Sequence, residues 1–404
     1  MREVTLADIT LSITDGKHGD CEGQDDSGYY FISCKDVKDG RVLYEQARQI
    51  TESDFLDAHK RTRLEPNDIL ITNSGTIGRM AFIRDCAETG RTTFQKSVAI
   101  IKPNTTQVLP KYLYYQLQTC VDQFINQSNG SAQKNLLLST MRAFNLSIHN
   151  DFILQRRIAD ILSAYDDLIE NNQKQIKLLE EAAQRLYREW FVDLRFPGHE
   201  TTPIVDGVPE GWEKTIMETI CESVGGGTPS TKNDEYYRNG TIRWVTPTDI
   251  TRKSGLFLLE PEKRITEEGL CNSSAKMLPP YTILMTSRAS VGYFGLCEHE
   301  VCTNQGFISC IPRKAVTRFY LLYNLMARVD EIRAKASGST FLEISKKTFR
   351  ELLILLPDEH VLEAFNGQVQ PIVAQMEKLT KSISQLQEAR DRLLPKLMSG
   401  EVEV

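Results

Sequence analysis

The 404-residue sequence has no run of about 18 apolar residues, so no membrane-spanning helix is expected. Its start, Met1-Arg2-Glu3-Val4-Thr5-Leu6-Ala7-Asp8, lacks the apolar core of a secretory signal, and a cytoplasmic protein is expected. The nine cysteines are odd in number, scattered, and include no Cys-x-x-Cys pair. That pattern fits free thiols rather than a disulfide framework. Cys297, His299 and Cys302 lie close together, but their spacing matches no standard zinc pattern, and no metal is expected there.

Enzyme signatures are equally scarce. There is no Gly-x-x-x-x-Gly-Lys-Ser/Thr phosphate loop, no Gly-x-Ser-x-Gly elbow and no His-Glu-x-x-His helix. An Asn-Pro-Pro-Tyr-like tetrapeptide, of the kind amino-methyltransferases carry, is also missing. The run Gly225-Gly226-Gly227-Thr228-Pro229-Ser230 is glycine-rich, but Pro229 lacks the N–H that a phosphate cradle would use. The six histidines are isolated from one another. An independent enzyme is therefore disfavoured. With 41% hydrophobic and 25% charged residues, a mainly disordered chain is excluded.

What is present is a repeat. Ile50-Thr51-Glu52 recurs as Ile265-Thr266-Glu267 at an offset of 215, and Asp68–Thr72 recurs as Thr282–Thr286 at 214. Gly78 matches Gly292, Gln95 matches Gln305, Tyr112–Tyr115 matches Tyr320–Tyr323, Gly130-Ser131 matches Gly338-Ser339, and Arg185-Leu186 matches Arg392-Leu393. The order is kept while the offset drifts down to 207, as a few loop deletions would make it do. A unit of about half the chain is duplicated. Each copy opens with short strand signals and turn residues: Tyr30–Ser33, Asp68–Thr72 and Ser97–Ile101, then a helix after Pro110. The second copy offers Ile242–Val245, Thr282–Thr286, Gly306–Ser309 and a helix from about Arg318 to Ala336. These read as two globular α+β domains, at residues 1–150 and 200–356.

A long helix follows each domain, over 151–199 and 357–404. Ile158, Leu162, Tyr165, Ile169, Asn172, Ile176, Leu179, Ala183, Leu186 and Trp190 are spaced alternately by four and three, a heptad seam. The second seam is Phe365, Val369, Ile372, Met376, Leu379, Ile383, Leu386, Arg390, Leu393 and Leu397. From Ile158 to Trp190 a helix rises about 50 Å. A lone Asn such as Asn172 fixes register or partner. Pro371 predicts a kink or restart in the second helix. The second domain must leave and return between the helices, which favours an antiparallel coiled coil and a pseudo-twofold internal repeat.

The net charge of −6 speaks at first against nucleic acid. By region it is −1 over 1–150, −2 over 151–199, 0 over 200–356 and −3 over 357–404. The excess therefore belongs mostly to the helices, and a near-neutral domain can still present a basic face. Loop segments carry groups that suit DNA. In the first domain they are Asn73, Ser74, Arg79, Thr93, Gln95, Lys96, Ser131 and Lys134. In the second they are Gly227, Thr228, Ser230, Lys232, Ser287, Arg288, Asn304, Gln305 and Ser339. Arg bonds guanine bidentately and Asn or Gln bonds adenine, whereas Ser, Thr, Lys and backbone N–H groups suit phosphates. The apolar frame recurs while the loop chemistry differs, as two copies of one scaffold reading different half-sites would require.

At this point the chain resembles the specificity subunit of a type I restriction-modification system. Two variable globular units, a long helix after each, the Gly226-Gly227-Thr228-Pro229-Ser230 run and the C-terminal Arg392-Leu393-Leu394-Pro395-Lys396-Leu397-Met398-Ser399-Gly400-Glu401 carry the resemblance. The family's Pro-Pro-x-x-x-Gln run before each helix is absent: Asn150-Asp151-Phe152-Ile153-Leu154-Gln155 and Pro357-Asp358-Glu359-His360 stand there. The resemblance implies two target recognition domains for double-stranded DNA and helices that dock two methyltransferase subunits, with motor-nuclease subunits in the full complex. It implies that this chain is non-catalytic and binds no cofactor itself, S-adenosylmethionine and ATP belonging to the partners. The rival expectation is a duplicated coiled-coil scaffold that binds proteins or sugars without DNA specificity.

Overall fold

Short apolar runs between turn residues build the same sheets twice. The structure is a computed structural model that describes residues 1–130, 134–338 and 342–404. The chain forms two compact units, residues 1–167 with 386–404 and residues 168–385. In unit 1, strands β1 (Thr10–Asp15), β2 (Ile69–Thr72), β3 (Met80–Phe82) and β4 (Val98–Pro103) form an antiparallel sheet in the order β1-β4-β2-β3. In unit 2, β5 (Cys221–Gly225), β6 (Ile283–Thr286), β7 (Phe294–Gly295) and β8 (Phe307–Pro312) repeat it as β5-β8-β6-β7. A three-stranded sheet also recurs. Tyr30–Ile32 lies between Arg48–Gln49 and Thr92–Phe94, as Ile242–Val245 lies between Lys263–Ile265 and Cys302–Thr303.

The central strands are apolar because both of their faces are covered. Alternation divides them: Ile69, Ile71, Ala99 and Ile101 pack with Tyr112, Leu113, Ile158 and Leu162, while Leu70, Val98 and Ile100 pack with Ile32, Val37 and Phe94. Unit 2 does the same, with Ile283, Met285, Ile308 and Cys310 toward Tyr320 and Leu321, and Leu284 and Phe307 toward Val245 and Ile250.

Two expectations require correction. The stretch from Arg318 to Ala336 is two helices, Arg318–Ala327 and Val329–Ala334, separated at Arg328. The break seats Val329 against Gly292, and Arg328 bonds Glu331 across it through Nε at 2.8 Å. Unit 1 breaks at the same place, between Pro110–Gln118 and Val121–Asn126, with Val121 against Gly78. The second correction concerns the restart expected at Pro371. The helix containing it runs from Glu359 to Ser399 without a restart. The proline ring crowds the carbonyl four residues earlier. That residue is Gly367, which stands in open space.

The two long helices are α1 (Phe152–Tyr187) and α2 (Glu359–Ser399). Aspartates cap both: Asp151 Oδ1 accepts from Ile153 N at 2.8 Å and Asp358 Oδ1 from Val361 N at 3.0 Å. Gly400, at φ 77°, follows the end of α2 in the left-handed conformation that terminates helices. Each helix contributes one stretch to each unit, and the stretches pair antiparallel. In unit 2, Asn172 Nδ2 donates to Ser382 Oγ at 3.2 Å, whereas Trp190 and Tyr187 meet Phe365. Asn172 thus finds a polar partner inside the seam, consistent with a register-fixing role.

Seam burial is uneven. Ile158 and Leu162 in unit 1, and Ile169, Ile176, Met376 and Leu379 in unit 2, are buried; Leu179, Leu186, Ile372, Ile383, Leu386 and Leu393 are half-buried. Val373 and Leu394 are buried beside Ile372 and Leu393, so the packed face of α2 drifts by a residue from a strict heptad, as a period of about 3.6 makes it do.

Candidate nucleic-acid interface

Three loops converge at one end of the main sheet in each unit. The first follows β2 and β6. Thr72 Oγ1 accepts from Arg79 N at 2.9 Å and donates to the Thr76 carbonyl; Thr286 Oγ1 accepts from Tyr293 N at 3.0 Å and donates to the Ser290 carbonyl. A threonine at the strand end therefore closes each loop on itself. Gly78 and Gly292 complete the turn at φ 88° and 85°, where a Cβ would lie 2.6 Å from Val121 Cγ1 and 2.8 Å from Val329 Cγ1. Only glycine meets both demands.

The other two loops are sewn to the first by backbone hydrogen bonds. Asn73 N donates to Ser97 O at 3.0 Å, Leu136 N to Asn73 O at 2.8 Å and Gly75 N to Lys134 O at 3.3 Å. The unit 2 counterparts are Ser287 N to Gly306 O at 2.8 Å, Ile344 N to Ser287 O at 3.0 Å and Ala289 N to Leu342 O at 2.8 Å. Two frames with one hydrogen-bond plan hold different side chains.

This arrangement gathers most of the sequence-predicted residues and sets some aside. Arg79, Lys96 and Lys134 are exposed, with Ser74 and Gln95 half-buried beside them. In unit 2, Arg288, Gln305, Thr228, Ser230 and Lys232 are exposed and Asn304 is half-buried. Thr228 donates to Gln305 Oε1, joining the glycine-rich segment to this face. A concavity of about 470 Å³ is lined by Thr248, Thr251, Arg288, Ser290, Asn304 and Gln305. Thr93 lies in the interior, its Oγ1 3.2 Å from Thr62 Oγ1. Asn73 and Ser287 are buried too, and their contribution is the backbone stitching. Ser131 and Ser339 lie outside the described residues.

Gly227 is a packing residue. Its N–H donates to Thr303 O at 2.9 Å, its carbonyl accepts from Trp244 Nε1 at 3.0 Å, and a Cβ would meet Ala275 N at 2.4 Å. Gly226 presses as closely on the Thr303 and Asn304 carbonyls. Unit 1 repeats the contact: Gly16 abuts the Phe94 carbonyl, and Lys17 N donates to Phe94 O at 2.7 Å. Gly16-Lys17 is thus the counterpart of Gly226-Gly227, a match that extending the Gln95–Gln305 offset backward would have found. Asn135 and Glu343 were also missed. They hold the same place in the third loop, bridged to Ser74 and Arg288 respectively, and the offset of Gly130 to Gly338 relates them.

Comparison with known proteins fits this duplicated plan. The family described as the type I restriction modification DNA specificity domain matches the chain twice, over residues 12–181 and 209–393. The chain belongs to this family. The HindI specificity subunit of Haemophilus influenzae is 22% identical over 92% of this chain and 94% of its own length. The MjaIX specificity subunit of Methanocaldococcus jannaschii is 36% identical, but over 37% of this chain and 35% of its own length. The crystal structure of a type I restriction-modification S subunit from M. genitalium aligns over 98% of this chain and 96% of that one, with a TM-score of 0.60 and 16% identity. At that identity the likeness establishes the fold: two α+β domains and two long antiparallel helices, a specificity-subunit architecture. No helix among the described residues is long and apolar enough to cross a membrane.

Proposed function

We propose that this chain is the DNA-recognition subunit of a type I restriction-modification complex. Residues 1–150 and 200–356 are its target recognition domains, each reading one half of a bipartite, asymmetric double-stranded site. Residues 151–199 and 357–404 are the spacer helices, which set the distance between half-sites and dock two methyltransferase subunits. Motor-nuclease subunits join in the full complex. The chain itself is non-catalytic: the partners hold S-adenosylmethionine and ATP.

The observation that carries this reading is the duplicated three-loop face. One hydrogen-bonded frame presents Arg79, Lys96 and Lys134 in the first domain and Arg288 and Gln305 in the second. A constant frame with changed donors and acceptors is what sequence discrimination requires, because phosphate contacts position and base contacts specify. An acidic total is compatible with DNA binding where partner subunits supply much of the phosphate contact.

The test is a salt titration of binding to a randomised duplex library, with the full chain alone and with its methyltransferase subunits. Retained sequences should share two fixed blocks separated by an unread spacer, and affinity should fall steeply with salt. Retention of duplexes without a shared motif, or no retention in either form, would remove the proposed function.

A further inference from the structure

The two loop faces differ at a structurally matched pair that is bridged through the backbone in both units. In unit 2, Arg288 and Glu343 are joined by an antiparallel backbone bridge, and Arg288 Nε lies 3.7 Å from Glu343 Oε2. In unit 1 the same bridge joins Ser74 and Asn135. Each bridge has the same second partner across the third loop, Ser337 to Glu343 and Asn129 to Asn135, so the match is positional. The Gln95–Gln305 match of the sequence shifts by one in the structure: Gln95 N donates to Ile32 O as Asn304 N does to Val245 O, so Gln95 corresponds to Asn304 and Lys96 to Gln305, and this loop differs between the units too. The bridged pair is charged in one unit and neutral in the other.

The chemistry of the unit 2 pair is specific. Arg288 borders the concavity and is 46% exposed at its side chain, Glu343 47%, so both heads reach solvent. Neither side chain has a closer hydrogen-bond partner among the described residues. An exposed ion pair at that separation is weak, so it yields readily to a ligand while holding its groups side by side. Arginine donates bidentately to guanine O6 and N7, and glutamate accepts from cytosine N4. A single G·C pair presents both edges in the major groove. Asn135, which is exposed, carries the amide that matches adenine N6 and N7.

We propose that Arg288 and Glu343 together read one G·C base pair in the half-site of the second domain, and that Asn135, at the matched position, directs the first domain to an A·T pair. This rests on the DNA-reading function proposed above and names the bases that its loops select.

The test is selection of the full chain, with its methyltransferase subunits, on randomised duplexes, comparing wild type with Arg288→Ala, Glu343→Ala and Asn135→Ala. Wild type should fix a G·C pair in the second block. Arg288→Ala and Glu343→Ala should each relax that same pair by about ten- to a hundred-fold and leave the first block intact. The other base pairs of the second block, staying fixed, show that unit 2 of the variant has folded. Asn135→Ala should relax an A·T pair in the first block alone. Two fixed blocks that neither unit 2 variant alters, or relaxation at two different base pairs, would overturn the assignment and leave the DNA-reading function standing. A uniform loss across all sequences would do the same, marking Arg288 as a phosphate contact. A wild-type chain that fixes no block would remove both.

Discussion

Unit 1 and unit 2 share a fold but secure their helix stretches by opposite means. In unit 1, Asp166 is the hub: it accepts from the Tyr115 hydroxyl at 2.6 Å and from Arg390 Nη1 at 2.6 Å. Applying the repeat offsets, Tyr115, Asp166 and Arg390 become Tyr323, Val373 and Ala183 in unit 2. The ion pair is replaced there by apolar contact within a large aromatic core of Tyr187, Trp190, Phe191, Tyr320 and Phe365. The tyrosine was kept, and its hydroxyl is buried without a partner among the described residues. Burial pushes both phenols well above the usual range, and in unit 1 the Asp166 carboxylate adds to the rise. A duplicated scaffold can thus exchange a polar hub for packing at matched positions, provided that both members of the ion pair change together.

The largest effect on stability should come from breaking the hub at one point. Asp166→Ala leaves Arg390 and Tyr115 without their shared acceptor. Because the ion-pair side chains keep 23% and 24% of their exposure, the loss should be about 2–3 kcal/mol, below that of a fully buried pair. Hydrogen exchange of unit 1 amides in the full chain measures it, and unit 2 amides should not respond. An effect spread over both units would break the comparison.

Next come the loop glycines. Gly78→Ala and Gly292→Ala combine a left-handed φ with a clash, and each should destabilise its own unit by about 1–3 kcal/mol. Pairing Gly78→Ala with Val121→Ala should relieve the clash but not the backbone strain, so rescue should be partial by the same exchange measurement.

The tyrosines give a smaller effect of opposite sign. Tyr115→Phe should destabilise unit 1 by about 1 kcal/mol, whereas Tyr323→Phe should be neutral or stabilising because it deletes an unsatisfied hydroxyl. The smallest effect should follow from giving unit 1 the apolar pair of unit 2 and removing the hydroxyl that this would strand. Asp166→Val with Arg390→Ala and Tyr115→Phe should fall within about 1 kcal/mol of wild type, well short of Asp166→Ala alone. Thermal unfolding of the two variants side by side distinguishes them.

Much of this was legible in the sequence because it is periodic or repeated. The apolar strands Ile69–Thr72 and Ile283–Thr286 and both long helices follow from patterns that local physics enforces. Gly78 and Gly292 are legible as a match of the repeat, although their place in the loop frame is not. What escaped depends on contacts between segments. Arg390 interrupts a heptad seam, and nothing in the spacing says that Asp166 will face it. Asn135 and Glu343 acquire meaning only when a backbone bridge sets them beside Ser74 and Arg288. Thr93 and Gly227 carry loop-like chemistry but are buried, because a strand or close backbone approach claims them.

The central claim is that two copies of one frame read two independent half-sites. Its most direct test exchanges residues 200–356 for the corresponding domain of another specificity subunit and maps the methylated motif in a host that supplies the methyltransferase subunits. One block of the motif should change, while the other block and the spacer stay as they were. A motif altered in both blocks, or in neither, would contradict the account.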